Sequence, residues 1–589
     1  MATVNKIDSN STGLRYAEEA SFKVLPGTPT WKPLEPNSYA DFGGSVTLVA
    51  RNPISADRQR KKGVITDLDA SGGFNTDLTQ ENLQDILQGF MFADLRTKAE
   101  FDSDTVTNVD GTNDEYELTA AAVSAVVAAG GSTYAEDDVL TLSGGTFGSA
   151  ATFTVTEVSG GAVTAVEMTT PGDYTAIPAD PVSTTGGSGT GCTLNVLWDT
   201  EDQFQAGDLL WAKGFTAAAN NGLKNVTGTP DENTVEVTED LVDDASPTGT
   251  ISRVGFKFAT GDLDVDASGT LPKLTTTTKD LTELGLIPGD WVWIGGDTAG
   301  TSFTNAANNG FKRVLSVSAN EIQIDKSDST MITEASTTET IELYVGRVLK
   351  NETGTDITRR SYNLERTLGA PDDASPTDVQ AEYLEGAIPS ELTINVATAD
   401  KINADLSFVA ADNTQRDSTT GLKAGNRPDI VEADAFNTSS DFTRIRLAAY
   451  DGDAEAPTPL FAFVQEMTLG INNNLSPAKA IGTIGAFEVT AGTFAVSGSM
   501  TAYFSDVAAV QSVRNNDDIT LDFAVVKANA GMVFDVPLLA LGDGRPNVAQ
   551  DEPITLPLTN EAATGAKVQP TLNHTLLMVF FDYLPDAAE

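Results

Sequence analysis

The chain has 589 residues, and its 84 acidic side chains against 36 Lys and Arg give a formal charge of −48. Cys192 is the only cysteine and His574 the only histidine, which excludes an internal disulfide, a Cys/His zinc site and any histidine-dependent triad that does not pass through His574. Generic adhesion to phosphate backbones is disfavoured as well, because that affinity comes from clustered Lys and Arg.

Hydrophobic residues make up 40% of the chain, with 26 Phe, 11 Tyr and 5 Trp, more apolar surface than an acidic disordered chain carries. The length exceeds what one core supports and suggests about four units at roughly 150 residues each. Met1–Ala20 has no apolar run with a basic flank, so no signal peptide is expected. No stretch reaches the roughly 18 apolar residues that span a bilayer, so no membrane partner is expected either. These readings suit a soluble protein made in a reducing cytoplasm.

Residues 1–100 are nearly neutral, with 13 acids and 11 bases. They hold the one dense basic run, Arg58, Arg60, Lys61 and Lys62, which reads either as a solvated loop or as a contact for an acidic surface of another subunit. Leu83, Ile86, Leu87, Phe90 and Met91 then fall at i, i+3, i+4, i+7 and i+8 and predict a helix over 79–93. Asp77 or Thr79 is expected to cap it, and Gly89 weakens it by about 1 kcal/mol relative to Ala.

Residues 101–200 carry 14 acids and no Lys or Arg. The segment 130–198 is glycine-rich and β-like, with Val139, Leu140, Leu142, Phe153, Val155, Val163 and Val166 as its apolar positions. Gly186–Gly191 resembles a phosphate loop, but the strand-like Cys192–Val196 follows where an anion-binding helix would be needed. A β-turn is expected.

An internal repeat follows. Gly207-Asp208-Leu209-Leu210-Trp211 matches Gly289-Asp290-Trp291-Val292-Trp293, and Ala219–Lys224 matches Ala307–Lys312. Val235–Val237 matches Ile322–Ile324. The Asn-Gly pairs predict type I′ hairpin turns. Two small β modules are expected, at about 200–255 and 280–348. Asp262, Asp264 and Asp266, like Asp451-Gly452-Asp453-Ala454-Glu455, could collect calcium, but the twelfth position from Asp262 is Lys273, not the bidentate Glu of an EF-hand. Solvated turns are the expected reading.

Beyond 350, strict alternation dominates: Leu392, Ile394 and Val396; Leu406, Phe408 and Ala410; Phe494, Val496, Met500 and Ala502; Leu521, Phe523 and Val525. This period marks strands with one buried face. Gly498 interrupts its run and predicts a bulge or a close contact. His574, between Leu572 and Leu576, reads as a structural residue at a strand end.

The two ends of the chain resemble a known family. Thr12–Glu19, Val24–Pro29 and Trp31 look like the start of siphophage tail tube proteins. The strand 45–51, the loop 58–62, the strand 64–69 and the helix at 79–93 are similar to that family's N-terminal half. Tyr362–Arg366, Tyr383–Gly386, Phe487–Val489 and Phe494–Asp506 resemble its C-terminal half, and Gly289–Trp293 resembles an element often inserted in it.

The resemblance implies a mainly β protein: a tail-tube-type β-sandwich with one flanking α-helix, plus inserted small β modules, in hexameric rings that form a β-barrel-lined tube. The expected units are the N-terminal half of the tube domain at 1–100, a Gly/Thr-rich insert at 101–199, repeats at 200–279 and 280–348, and the C-terminal half at 349–589. The whole insert, at about 101–348, is expected to project outward and to be dispensable for ring formation. The implied function is a structural virion protein whose stacked rings conduct phage DNA without binding it, built in the host cytoplasm and located in the virion tail. Implied partners are further copies of the chain and the tape measure, tail terminator and distal tail proteins. No catalytic residue, cofactor site or metal site is assigned. A surface glycan-binding decoration protein and, less favoured, a tail polysaccharide depolymerase are the alternatives; the latter lacks the expected parallel β-helix repeats.

Overall fold

A computed structural model of the chain describes residues 12–54, 56, 59–96, 104–199, 204–229, 233–325, 331–369, 379–417, 420–431, 433–450, 459–461 and 463–588. The alternating segments pair into one continuous curved sheet. Its strands are β1 (Pro36–Arg51), β2 (Lys61–Asp77), β3 (Gln380–Ala397), β4 (Asn403–Ala410), β5 (Val464–Asn472), β6 (Ala495–Tyr503), β7 (Ala530–Asp543) and β8 (Thr555–Ala563). The spatial order is β1-β2-β4-β3-β5-β6-β8-β7, all antiparallel. Residues distant in sequence thereby line one face: Phe74, Leu392, Ile394, Leu406, Phe408, Met467, Leu469, Ile471, Val496 and Met500 all point into one core.

Two strands are long enough to serve two layers. Ala381–Ala387 of β3 pairs with Tyr362–Gly369, whereas Ile388–Asn395 pairs with β4. Gly531–Asp535 of β7 pairs with Leu577–Phe581, whereas Leu538–Asp543 pairs with β8. Strands that change layer in this way fold a sheet over its own core. In β6, Gly498 makes a close contact and not a bulge. The register with β5 runs unbroken from Asn472↔Ala495 to Glu466↔Thr501, and a Cβ at 498 would lie 2.1 Å from the Thr468 carbonyl oxygen.

Helix α1 spans Gln84–Met91. Its whole predicted stripe is buried in the main core. Burial is worth about 1.5–3 kcal/mol per large apolar side chain, which outweighs the glycine penalty. Gly89 has a specific cause: a Cβ there would lie 2.6 Å from the Tyr362 hydroxyl. The expected cap does not form. The helix starts at Leu83 with no side-chain cap, too far along the chain for Asp77 or Thr79 to reach its first N–H groups; Asp77 instead pairs with Lys401 at 2.7 Å, and Gln84 Nε2 donates to the Gln80 carbonyl at 2.8 Å. A second helix, α2 (Val507–Asn515), adds to the one foreseen; Asp506 caps it by accepting from Ala508 N.

The repeat is real in three dimensions. Asp208–Lys213 and Trp291–Ile294 are equivalent strands, followed by short 3-10 turns at Ala218–Asn220 and Ala306–Asn308, then strands Gly222–Gly228 and Gly310–Ser318. The Asn-Gly pairs do not form type I′ turns, since Asn221 and Asn309 have φ of −99° and −93°. Their side chains instead close the preceding loop. Asn221 Oδ1 accepts from Phe215 N at 3.0 Å and Asn309 Oδ1 from Phe303 N at 2.9 Å. The neighbours Asn220 and Asn308 clamp Val242 and Ile332 through both backbone groups.

Strands Asp104–Asp110 and Glu115–Leu118 join the first repeat, pairing with Thr250–Lys257 and Thr234–Val237, and are not part of the Gly/Thr-rich segment. Asp264–Asp266 and Lys273–Thr275 take the same places in the second repeat. Both repeats share one 12-stranded sheet. The Gly/Thr-rich segment, from Ala120 to Trp198, has its own core around Leu140, Phe153, Tyr174, Leu194 and Trp198. It is nested inside the first repeat, at the point where the second has only the loop 276–290.

The second repeat does not hang from a linker. Trp291, Phe311, Tyr344 and Val348 share a core with Ala524, Val533, Val579 and Phe581. This explains a departure from simple alternation: in the strand Ile519–Lys527, Thr520 and Asp522 are buried along with Leu521 and Phe523. Their face receives Arg313, wholly buried, whose guanidinium pairs with Asp325 at 2.5 Å and Asp535 at 2.8 Å.

Candidate assembly surface and channel face

None of the residues singled out for chemistry converges on a catalytic arrangement. Gly186–Gly191 is the turn between strands Val182–Thr185 and Thr190–Trp198, anchored by Ser188 N and Oγ donating to Asp138 Oδ2 at 3.0 and 2.6 Å. Asp262, Asp264 and Asp266 each serve a separate loop. Asp262 accepts from the hydroxyls of Thr276 and Thr278, both at 2.6 Å, Asp264 from Ser336 N, and Asp266 from Ser268 N. Burial pushes the Asp262 carboxyl up, but the threonine hydrogen bonds outweigh it and hold the group below the ordinary range. Among the described residues, no cluster of His, Cys, Asp and Glu has metal-site geometry. Asp451–Glu455 lies outside the described residues, as does Arg58.

His574 is fully buried three residues before the strand Leu577–Phe581, its ring against Gly289. Burial lowers its pKa, with Asp535, 3.6 Å from Nε2, opposing the shift. Cys192 is buried, and burial pushes its thiol up.

What stands out is one face of the large sheet. Opposite the core, β2, β4, β3, β5, β6 and β8 present Asn75, Asp77, Asn403, Asp405, Glu391, Thr393, Asn395, Glu466, Thr468, Asn472, Ser497, Ser499, Thr501, Thr559 and Glu561. None of these positions is a Lys or Arg; at the margins Lys401 pairs with Asp77 at 2.7 Å and the half-exposed Tyr503 continues the β6 row. Neutral donors fix the acids: Asn75 and Asn395 donate to the two oxygens of Asp405 at 2.8 and 2.7 Å, Asn472 to Glu391 at 2.7 Å, and Thr501 to Glu466 at 3.1 Å. Amides and hydroxyls hold the carboxylates in place without cancelling their charge. Around Asp405, Glu391 and Thr393 the face is concave, with a groove of ≈ 530 Å³.

This face lies between two unpaired edges. Among the described residues β1 pairs only with β2, and at the far side Ala540–Asp543 pairs only with β8, the strand Ile519–Lys527 reaching as far as Leu539. Beyond Ser45 the β1–β2 ribbon leaves the core. Leu48, Val49, Val64 and Ile65 are each more than half exposed, and Ile54 at the tip is fully exposed. Arg51, Arg60, Lys61 and Lys62 surround them, all exposed, and among the described residues none of the four forms an ion pair. At the base, Lys479 bridges Asp67 and Asp69, both at 2.5 Å. A two-stranded ribbon exposed on both faces is marginal in water, and long unpaired edges invite strand addition. Both features call for another protein surface. The strands 45–51 and 64–69 were foreseen through the family resemblance; that Leu48, Val49, Val64 and Ile65 lie outside every core was not.

The family model described as phage tail tube protein matches the chain twice, over residues 9–277 and 252–562. The two matches together span both ends of the sheet and meet at the junction of the two repeats. No curated protein matches the chain. An acidic, polar sheet face between free edges, in a chain covered almost end to end by this family, supports one conclusion: the protein belongs to the phage tail tube protein family, a structural and non-enzymatic component of the virion tail.

Proposed function

We propose that six copies close into a ring by edge-to-edge strand addition, β1 of one copy beside Ala540–Asp543 of the next. The polar faces then form the inner wall of a barrel. Rings stack head to tail, with the β1–β2 tip seated on the adjoining ring. The stack is the tube of a long non-contractile tail, assembled in the host cytoplasm and meeting tape measure, terminator and distal tail proteins along its length and at its ends. It conducts the genome during ejection.

The observation that carries this reading is the acidic centre of the face. DNA adheres in proportion to the Lys and Arg contacts made with its phosphates, and the central strands carry Asp405, Glu391, Glu466 and Glu561 with only neutral residues between them, the Asp77–Lys401 pair lying at the margin. The two repeats pack on the opposite layer, against Val533, Val579 and Phe581, and the Gly/Thr-rich segment, with its own core, is carried by the first of them. We therefore place the segments 101–199, 200–279 and 280–348 on the tube exterior, with 1–100 and 349–589 forming the wall.

Electron microscopy of purified protein tests the assembly: hollow tubes with six-fold rings are expected, and only monomers or unordered aggregates would refute it. A D405K/E391K variant tests the channel. Tubes should form, phage carrying them should eject DNA more slowly, and an unchanged ejection rate would remove the face from the wall.

A further inference from the structure

One polar cluster lies outside the channel face and the assembly edges. After the strand Asp412–Arg416 the chain runs to Phe442 without a strand. This strap lies across the outer layer. Trp31 Nε1 donates to the Ala424 carbonyl at 3.0 Å and Arg15 to that of Pro428 at 2.7 Å. At its centre Lys423 reaches down to the strand Tyr362–Gly369. Its Nζ lies 2.6 Å from Asn363 Oδ1, 2.8 Å from Glu385 Oε1 and 4.7 Å from the centre of the Tyr383 ring. Asn363 is buried, and its Nδ2 donates to Glu19 Oε1 at 2.6 Å. Glu19 is itself fixed by Gly386 N at 2.8 Å and Ser361 Oγ at 2.5 Å. Trp31, Tyr383 and Leu422 enclose the group.

We propose that Lys423 and Asn363 join in an intramolecular amide crosslink. A lysine is a nucleophile only as the neutral amine. Glu385, in contact with Nζ, takes the ammonium proton. Nζ then adds to Asn363 Cγ, the Cγ–Nδ2 bond breaks, and Nδ2 departs with the protons released by Nζ and returned by Glu385. The products are a Lys423–Asn363 amide and one ammonium ion. Nothing is oxidised or reduced, and no co-reactant is consumed. Glu19 holds the carboxamide by Nδ2 while Lys423 Nζ contacts its Oδ1, one bond from the reacting carbon, and such fixed proximity replaces a large part of the barrier of the bimolecular reaction. The chain carries an internal comparison. Lys401 lies 3.3 Å from Asn37 Oδ1 and 2.7 Å from Asp77, but this trio is exposed and its ammonium stays solvated. It remains unlinked. The crosslink would tie the strap covalently to the sandwich.

Mass spectrometry of denatured full-length protein reads the reaction directly. The expected mass is one ammonia below that of the sequence, with a branched peptide joining residues 363 and 423 after proteolysis. Succinimide formation at Asn221-Gly222 or Asn309-Gly310 gives the same mass loss, so the branched peptide decides. N363A and K423R should recover the full mass. E385Q keeps both reacting groups and should stay unlinked. Wild-type protein at full mass, with residues 363 and 423 only in linear peptides, overturns the proposal. Equal crosslinking in E385Q removes Glu385 from it.

Discussion

Arg313→Met isolates the junction between the second repeat and the tube sheet. The guanidinium is fully buried; its Nε donates to Asp325 at 2.6 Å and its terminal nitrogens reach Asp535 at 2.8 Å and Thr520 Oγ1 at 3.3 Å. Methionine fills much of the volume but leaves two buried carboxylates without their shared cation. Removing one partner of a buried pair costs about 3–5 kcal/mol. One cation serving two acids places this variant at the upper end, about 5 kcal/mol, consistent with charged hydrogen bonds worth about 1.5–3 kcal/mol each. With a urea slope of about 2–3 kcal/mol/M for one cooperative unit, the midpoint should fall by roughly 2 M. Tryptophan fluorescence follows it, since Trp291 lies beneath Arg313, 5.8 Å from ring centre to guanidinium carbon. The triple variant R313M/D325L/D535L should recover most of the loss, because an apolar replacement of a whole buried ion group is often neutral or stabilising. A midpoint shift below about 0.5 M for R313M, or a triple variant no better than the single one, would refute the reasoning. The same interface means that deleting the inserts exposes Val533, Val579 and Phe581, so the expectation that they are dispensable is best tested with those positions made polar.

Gly89→Ala should lower the melting temperature: the helix gains about 1 kcal/mol of propensity, but the new methyl meets the Tyr362 hydroxyl at 2.6 Å, an overpacking of about 1–3 kcal/mol; a rise would show that Tyr362 moves freely. His574, held neutral by burial, has a folded pKa below its unfolded value of about 6.5. The unfolded chain therefore binds the extra proton below that pH, and stability falls as pH drops from about 6.5. His574→Phe should flatten this limb in urea titrations between about pH 6.5 and 5, and an unchanged slope would exclude His574 as its source. R60E/K61E/K62E should leave the thermal transition of the unassembled protein unchanged, because these side chains are exposed, and should weaken tube formation in sedimentation. Tubes of normal length and yield would take the ribbon tip out of the contact.

The β character, the α1 stripe, the repeat and the family resemblance were all legible in the sequence. Each rests on a local period or on ordered motifs, which survive without knowledge of neighbours. The sequence also carried the absence of catalytic groups from the runs that looked suggestive, since Gly186–Gly191 lacks a following helix and Lys273 stands where a calcium loop needs Glu. Tertiary structure alone decided what depends on pairing across hundreds of residues. Asp77 reads as a helix cap, but the helix begins at Leu83, beyond its reach, and Asp77 pairs with Lys401 instead. Asp104–Asp110 was assigned by composition to the glycine-rich segment until its hydrogen bonds placed it in the first repeat. Asp522 reads as a solvent-facing position in an alternating strand; it is buried because the second repeat lays Arg313 over that face. The channel face is the clearest case. Each of its carboxylates occupies an ordinary polar position in its own strand, and only the order β2-β4-β3-β5-β6-β8 gathers them into one wall whose central acids have neutral partners alone.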